Sequence, residues 1–596
     1  MSKEHDLVQH NAVVLAAYPS CEDCLAWSDD GLAVAGGQNV YILKRVLDNA
    51  QHISQSITKW SSIAVRTDQF SHDEWPEQNL AALHHLSVGE EQSESVVVGL
   101  SWSPPGLGFH RRSVLAVLTS NLILSIWETD GSQRGWQRTC ILNPHLPTPA
   151  EDDTGRARRW RRIRAFTWSE PLLTSPAARW GNHHIAVVDD DSNLTFFSIS
   201  KKFREGYGQW SLTVICTTIV APRASQHDDP PGMTDLQRMI NRKSSVERVL
   251  IDPWHIEYAD ARTGHGQYKA RSSLCCIGSH GQNILELSIE IMPVRDGVTG
   301  TIRPSSLANV QNTRSRNLSE IGVYDTPHED KIVHGLIEKR EWHEALEQIC
   351  TEYDRQNDSD GLFRVRFWAF AKSPDSQMEA ACITLHPWDT YEYTSAVNEK
   401  SRVVFRSLGT PGGSSAVFHR SEDDVLESVL KFVVQALHGR EDPLSALDDK
   451  LLRALYAWTS LRPGYAEIQE TIRKEWTDHT GTAYSSSDVR PDCAQILSGL
   501  RPDSGLLGED LCDICGSQIP VTATTAIALC SLGHPFSRCS LSLLSIQEPG
   551  ISKYCEVCGR PFLNISKLGP QPGQSLLIQL FDEFDTCPYC GGKYCG

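Results

Sequence analysis

The chain has 596 residues, which suggests about three to four domains. It is 40% hydrophobic and 22% charged, with a formal net charge of −18 and a pI near 5.6. That acidity excludes a free-standing nucleic-acid binder, since meeting phosphate needs a local surplus of Lys and Arg; a local basic patch stays open. The first residues lack the apolar core of a signal peptide, and no apolar run is long enough for a bilayer, so a soluble, unsecreted protein without a membrane partner is expected.

The first part of the chain reads as β. Apolar runs at 13–18, 25–28, 31–35 and 39–43 are joined by tight polar links, the content of one propeller blade. The pattern recurs at 96–103, 114–119, 122–127 and 136–142, and again at 163–169, 185–188, 194–199 and 210–216. Each unit contains a Trp-Ser step, at Trp27, Trp102 and Trp168, spaced roughly 65–75 residues apart, where ordinary propeller repeats run about 40–45. The fold class expected is therefore mainly β: a divergent WD-type β-propeller with long insertions over 10–420, with a pair of β-sandwiches as the alternative. Fainter blades are expected at 246–251, 274–279 and 284–289, and at 365–370, 380–385 and 403–406, with an amphipathic helix over 332–353 between them. The polar segments 50–95, 221–245 and 296–320 read as insertions.

From about residue 421 the period turns helical. Val425, Leu426, Val429, Phe432, Val433, Ala436 and Leu437 form one apolar stripe, and 444–460 and 465–476 follow the same rule. A helical segment over 421–478 is expected, then a linker rich in Ser, Asp, Pro and Gly over 479–510, then a cysteine-rich module over 511–596.

Half of the 18 cysteines lie between Cys512 and Cys595. The donors run Cys512, Cys515; Cys530, His534, Cys539; Cys555, Cys558; Cys587, Cys590 and Cys595. Paired C-x-x-C knuckles are metal spacing rather than a disulfide framework, and thiolate ligation implies a reducing compartment. Ten donors make two complete tetrahedral Zn2+ sites with two to spare, and spacing leaves open which donors share an ion. A catalytic zinc needs an open position and a nearby Glu, as in H-E-x-x-H; neither that motif nor H-x-E occurs around these ligands, so zinc as a structural staple is the expectation. The stretch from Cys530 to Cys539 resembles the middle of a RING, with Ser537 where a cysteine often stands, so the distal Cys587, Cys590 and Cys595 are left to supply the missing donor.

A more specific resemblance joins both ends of the chain. Leu25-Ala26-Trp27-Ser28, Trp102-Ser103-Pro104-Pro105-Gly106 and the run from Ser113 to Leu122 occur together with three tail motifs. These are Cys512-Asp513-Ile514-Cys515, Gly533 to Cys539, and Tyr554-Cys555-Glu556-Val557-Cys558-Gly559-Arg560. The combination resembles the ninety-kilodalton subunit family of transcription factor IIIC, over roughly residues 12–200 and 505–596. The resemblance implies a nuclear scaffold subunit within a multisubunit general factor for RNA polymerase III. The partners it implies are the other subunits, the polymerase III initiation machinery, and internal promoters such as those of transfer-RNA genes, reached mainly through the complex.

Other features have competing readings. Arg156, Arg158, Arg159, Trp160, Arg161, Arg162 and Arg164 form the densest basic run, and are candidates for phosphate contact, for a nuclear address or partner contact, or for a solvated loop. Cys21 and Cys24 stand alone and read as packing, Asp189-Asp190-Asp191 as a hairpin turn, and His183 and His184 as surface. Gly106 and Gly108 lack the rest of a phosphate loop. The enzyme alternatives are a ubiquitin ligase, for which Ile514 stands where RINGs place an apolar contact but Glu556-Val557 departs from the Pro of many active RINGs, and a chromatin acetyltransferase, for which no Gly-rich acyl-CoA loop is present. A propeller-plus-RING scaffold of membrane-coat or nutrient-signalling type is a further alternative.

Overall fold

The computed structural model describes residues 12–46, 59–70, 94–129, 135–147, 162–174, 178–204, 207–220, 246–258, 268–278, 283–294, 297–304, 323–324, 340–357, 361, 363–374, 376–387, 400–407, 420–438, 440, 444–460, 462–480, 510–521, 527–548, 550–568 and 575–595. They divide into two compact units. The first comprises Met1–Leu172, Asn182–Glu257 and Lys269–Gly413; the second comprises Leu173–Gly181, Tyr258–Tyr268 and Ser414–Gly596. No helix among the described residues is long and apolar enough to cross a membrane.

The first unit is built from antiparallel sheets in chain order. The chain enters on β1 (Ala12–Leu15). β2 (Leu25–Ser28), β3 (Gly31–Gly36), β4 (Asn39–Val46) and β5 (Lys59–Arg66) make one sheet. β6 (Val97–Trp102), β7 (Leu115–Thr119), β8 (Leu124–Thr129) and β9 (Trp136–Ile141) make the next. β10 (Ile163–Trp168), β11 (His183–Asp189), β12 (Asn193–Arg204) and β13 (Tyr207–Ile219) make the third. In the fourth, β14 (Val246–Ile251), β16 (Tyr268–Gly278), β17 (Asn283–Val294) and β18 (Gly297–Pro304) run in succession, with β15 (His255–Tyr258) also paired to β16. The last holds β19 (Val323–Tyr324), β20 (Phe363–Lys372), β21 (Met378–Pro387) and β22 (Ser401–Ser407), and β1 completes it by pairing with β22. Neighbouring blades meet through β2 and β6, β6 and β10, β10 and β14, and β20 and β2. This is a propeller, and its N-terminal strand closes its last blade.

The Trp-Ser step has a physical role in the three blades that carry it. Trp27, Trp102 and Trp168 occupy the same register, opposite Leu32, Leu115 and Ile185 on the second strand. The Ser that follows is buried and seals the link: Ser103 N–H donates to Val114 O at 2.8 Å, and its Oγ accepts from Val114 N–H at 2.9 Å. Trp102 also reaches the preceding blade, donating from Nε1 to Ala26 O at 3.1 Å. A second Trp on the fourth strand packs edge-on against the first, Trp60 on Trp27 at 6.3 Å and Trp136 on Trp102 at 5.9 Å. Register shifts at Val97/Gly99, Ile163/Ala165 and Val246/Arg248 bulge three of the first strands near their starts; bulges of this kind bend a strand and raise its twist.

The structure corrects several expectations. The run at 13–18 supplies no first-blade strand; β1 belongs to the last blade. The fourth strand of the first blade is β5, inside the segment read as an insertion, and β18 lies inside 296–320. β18 carries Thr299, Thr301 and Arg303 on one face, and β5 carries Lys59 and Ser61 on one face and Ser62 and Arg66 on the other, so both look polar in sequence. The helix expected at 332–353 is α1 (Arg340–Asn357), which buries Trp342 and Tyr353 against β20–β22; residues 332–339 lie outside the described residues. His183 and His184 are buried, not surface: His183 Nε2 lies 3.1 Å from Pro105 O, and His184 stacks on Phe196 at 5.5 Å.

In the second unit, α2 (Glu422–Leu437), α3 (Ala446–Ser460) and α4 (Ala466–Thr480) pack with the cysteine-rich tail around one apolar core. Ser421 caps α2, its Oγ accepting from Asp424 N–H at 3.1 Å. The buried face of α2 is Val425, Leu426, Val429, Leu430, Val433 and Leu437, close to the stripe read from sequence. It meets the tail helix α5 (Leu576–Glu583), and Phe432 packs edge-on against Phe584 at 6.2 Å. Helices and tail thus bury their apolar faces in each other, although the sequence reading sets them apart as separate segments. The linker expected at 479–510 lies almost wholly outside the described residues.

Candidate metal centre

The tail is a series of tight turns on short ribbons: β23 (Asp510–Leu511) with β24 (Gln518–Ile519); β25 (Ile527–Leu529), β26 (Pro535–Arg538) and β27 (Ser545–Ile546); and β28 (Ser552–Cys555) flanked by β29 (Pro561–Leu563) and β30 (Tyr594–Cys595). Four knuckles share one hydrogen-bond pattern. Cys512 N–H donates to Ser517 O (2.8 Å), Cys530 N–H to His534 O (3.1 Å), Cys555 N–H to Arg560 O (3.0 Å) and Cys587 N–H to Gly592 O (2.9 Å). Each knuckle turns back through a glycine of positive φ, Gly516 (69°), Gly533 (88°), Gly559 (69°) and Gly591 (73°). Only glycine takes that conformation without a Cβ penalty, so C-x-x-C-G, rather than C-x-x-C alone, is the sequence signature of three of these turns, and C-x-x-G-H, from Cys530 to His534, that of the fourth.

The knuckles converge in pairs. Cys512, Cys515, Cys530 and His534 form one set, and Cys555, Cys558, Cys587 and Cys590 the other; within each set the ligand atoms lie within 4.8 Å of one another. Cys515 Sγ to Cys530 Sγ is 3.7 Å, Cys530 Sγ to His534 Nδ1 is 3.4 Å, Cys555 Sγ to Cys590 Sγ is 3.4 Å and Cys558 Sγ to Cys587 Sγ is 3.6 Å. A tetrahedron with metal–sulfur bonds of about 2.3 Å has edges near 3.8 Å, so the spacing suits a zinc-sized ion. Three thiols with one imidazole, and four thiols, are both zinc donor sets. The donors are used in chain order, the first four in one set and the next four of the C-x-x-C pairs in the other.

Two of the sequence candidates stand outside both sets. Cys539 is buried, its Sγ accepting from Ser542 N–H at 3.4 Å and Leu563 N–H at 3.3 Å. Cys595 is exposed on β30, its Sγ 3.9 Å from a Glu556 carboxylate oxygen. Ser537 lies on β26 opposite Ile527, and Cys587 and Cys590 complete the second set rather than replacing it.

Each set holds thiols shifted in both directions: burial raises Cys512 in the first, and in the second the N–H groups of Cys558 and Val557 lower Cys555 against its burial. Burial opposes ionisation of Cys530, yet the Ser517 hydroxyl and the N–H groups of His534 and Leu532 bring its thiol down to about 6. Facing Cys515 and Cys530 raises the His534 imidazole above its ordinary value. In the second set burial pushes Cys587 up, and Cys590 up to about 12. A bound divalent cation would hold such thiols deprotonated.

Residues to which the sequence assigned no role brace the second set. Tyr589, between two donors, buries its ring and donates from its hydroxyl to Ser540 O at 2.8 Å. Arg560 stacks over that ring at 4.1 Å and pairs with Glu422 of α2 at 2.8 Å. Arg179 donates to Thr586 O at 2.7 Å and to Cys587 O at 3.1 Å. Lone arginines have no sequence signal for such roles.

Of the basic run, Arg156, Arg158, Arg159, Trp160 and Arg161 lie outside the described residues. Arg162 is buried, and Arg164 pairs with Asp190 at 2.7 Å. Asp189 holds the hairpin turn, accepting from Asp191 N–H (2.9 Å), Asn193 N–H (2.8 Å) and Asn193 Nδ2 (2.8 Å). Cys24 is fully buried, and burial raises the Cys21 thiol to about 12, in keeping with packing.

Residues 27–321 and 295–408 match the family model described as "Transcription factor IIIC subunit delta bet-propeller domain", and residues 495–594 match "Putative zinc-finger of transcription factor IIIC complex". A relative from Schizosaccharomyces pombe, "Putative transcription factor tau subunit sfc9", is 31% identical over 137 residues, 23% of this chain and 19% of the relative, so the match spans about a fifth of that protein. The WD40 domain of SCAP from fission yeast superposes over 65% of this chain and 84% of that domain at 8% identity, with a TM-score of 0.20, too low to bear on the architecture. On the strength of the propeller match, which spans most of the chain, the protein belongs to the transcription factor IIIC subunit delta family.

Proposed function

We propose that this chain is a non-catalytic scaffold subunit of the nuclear transcription factor IIIC complex, supporting RNA polymerase III transcription from internal promoters such as transfer-RNA genes. The observation that carries this reading is that both the propeller and the tail match models of that factor. The partners proposed are the other subunits and the polymerase III initiation machinery, with promoter DNA met mainly through the complex. The tail is proposed to hold two zinc ions, one in each four-donor set, with Cys539 and Cys595 outside the ligand shells. Fully donated sets leave no open coordination position, which suits a staple rather than a catalyst. Arg156, Arg158, Arg159, Trp160 and Arg161 of the basic run are proposed to act as a nuclear address or partner contact, Arg162 and Arg164 being taken up within the propeller. Affinity purification of the tagged full-length chain, followed by transcription of a transfer-RNA gene in depleted and replenished extract, tests the reading. Co-purification with the other subunits and restored transcription are expected; a chain that purifies alone and whose depletion leaves transcription unchanged would overturn it.

One observation keeps the ligase alternative worth testing: Ile514, the position of the apolar RING contact, is exposed. Glu556 remains the departure against it.

A further inference from the structure

Five large aliphatic side chains crowd around the first donor set, and all are exposed. Leu511 precedes Cys512, Ile514 lies between Cys512 and Cys515, Leu529 precedes Cys530, Leu532 lies between Cys530 and His534, and Ile527 is two residues before Leu529; their exposures run from 50 to 71%. The knuckle backbone dictates this. With both cysteines of a knuckle turned toward one centre, the residue at its tip must point away. On β25, Ala528 is buried, so its neighbours Ile527 and Leu529 face outward, and β25 is the edge strand of its sheet. The second set carries only two such side chains, Tyr554 and Val557, so the concentration is particular to the first. A concentration of exposed apolar side chains of this kind marks an interaction site more often than it marks plain surface.

The charges around the face indicate what covers it. Among the described residues from 511 to 548, Asp513 and Glu548 are exposed, and the only Lys or Arg is Arg538, which is buried with its guanidinium donating to Leu543 O and Pro520 O. Two exposed carboxylates and no exposed Lys or Arg in that stretch repel phosphate, which disfavours nucleic acid and anionic lipid headgroups. It favours a protein whose contact residues are apolar with Lys and Arg at the rim.

We propose that the face formed by Leu511, Ile514, Ile527, Leu529 and Leu532 docks a basic-flanked apolar segment of another protein chain in the same assembly. The proposal rests on the scaffold reading above and names the surface through which the tail would serve it. Metal binding at the first set acts on the contact indirectly, by fixing the two knuckles that present Ile514 and Leu532.

The test uses the full-length chain in its purified complex. A photo-crosslinking amino acid is placed at 514 or at 532, and crosslinked peptides are identified by mass spectrometry. In parallel, Ile514→Asp with Leu532→Asp, and separately Asp513→Lys with Glu548→Lys, are assayed for retention in the complex and for zinc content. Crosslinks to a Lys- and Arg-flanked apolar segment of another subunit are expected. Retention should fall at least tenfold for the first pair, and for the second it should weaken and lose its salt dependence, with zinc content unchanged in both. Crosslinks confined to this chain or to DNA, or full retention of the Asp pair, would overturn the surface while leaving the scaffold reading intact. A wild-type chain that joins no complex would overturn both.

Discussion

The carboxylate of Asp448, on α3, sits on the first turn of α5, accepting from Leu577 N–H at 2.9 Å. The same oxygen accepts from Ser575 Oγ at 2.7 Å, so a residue outside the cysteine-rich tail caps the tail's helix. Asp448 is fully buried, and the first-turn N–H groups of α5 would otherwise face apolar side chains. Asp448→Ala should destabilise the second unit by about 1–3 kcal/mol. Thermal melts of the full-length chain and its variant check this. The 505–596 fragment alone should expose Phe562, Phe581 and Phe584, bind a hydrophobic dye and melt without cooperativity; a cooperative melt for it would contradict the shared core.

The geometry separates the cysteines into those that belong to a donor set and those that do not. Cys530→Ser and Cys587→Ser should each lower the zinc content of the full-length chain from two ions to one. Cys595→Ser should leave it at two. Cys539→Ser should also leave it at two while lowering stability, because a hydroxyl replaces a fully buried thiol. Elemental analysis of the reduced protein reads all four, and a lost ion in Cys539→Ser would mean that the ligand set differs from the one seen here.

Much of this was legible in sequence, for reasons that also explain the gaps. Trp27, Trp102 and Trp168 announced blades because a large ring at a fixed register recurs wherever strands are repeated. The zinc tail was legible because thiol spacing is constrained by the size of one ion. Strand pairing across the whole chain is not written locally, so the union of Ala12–Leu15 with Ser401–Ser407 had no signal, and the first four runs were read as one blade. Nor does spacing say which knuckles meet, since that depends on how the ribbons between them fold. His183 and His184 looked polar on their own; only the partner strands show that their rings are enclosed.

His184 should make the propeller acid-sensitive. Its ring is buried against Phe196 and Trp254, and burial lowers its pKa to about 3, below the ordinary 6.5. The unfolded chain therefore takes up a proton below pH 6.5 that the folded chain refuses until near pH 3. Stability contributed by the neutral ring is complete above pH 6.5 and declines as pH falls through that window, by about 2 kcal/mol at pH 5 at 1.36 kcal/mol per unit. His184→Phe should flatten this part of the profile, as measured by the melting temperature of the full-length chain between pH 7 and 5. An unchanged slope would place the acid sensitivity elsewhere.

Closure by β1 gives a further expectation. Removing residues 1–16 would strip the partner from β22 and take Leu15 from the core. An open sheet edge then remains in the last blade, and such edges recruit other chains. The truncated protein should melt lower than the full chain and self-associate in a concentration-dependent way by light scattering. A monomer of unchanged stability would show that the closing strand is dispensable.

The last expectation separates docking from chemistry at the tail. Cys530→Ser removes a donor from the first set and should loosen both knuckles, lowering zinc content, association with other subunits and transcription together. Ile514→Ala removes only an exposed side chain, so its effect on stability should stay within about 0.5 kcal/mol. On the scaffold reading, transcription falls in Ile514→Ala only as far as subunit association falls, and neither protein transfers ubiquitin with any conjugating enzyme supplied. On the ligase reading, wild type transfers ubiquitin in a zinc-dependent reaction and Ile514→Ala abolishes that transfer while the complex stays whole. The two readings therefore part on a single variant: an Ile514→Ala protein that assembles fully, holds two zinc ions and has lost a ubiquitin-transfer activity present in wild type would make the tail an enzyme's module rather than a docking one.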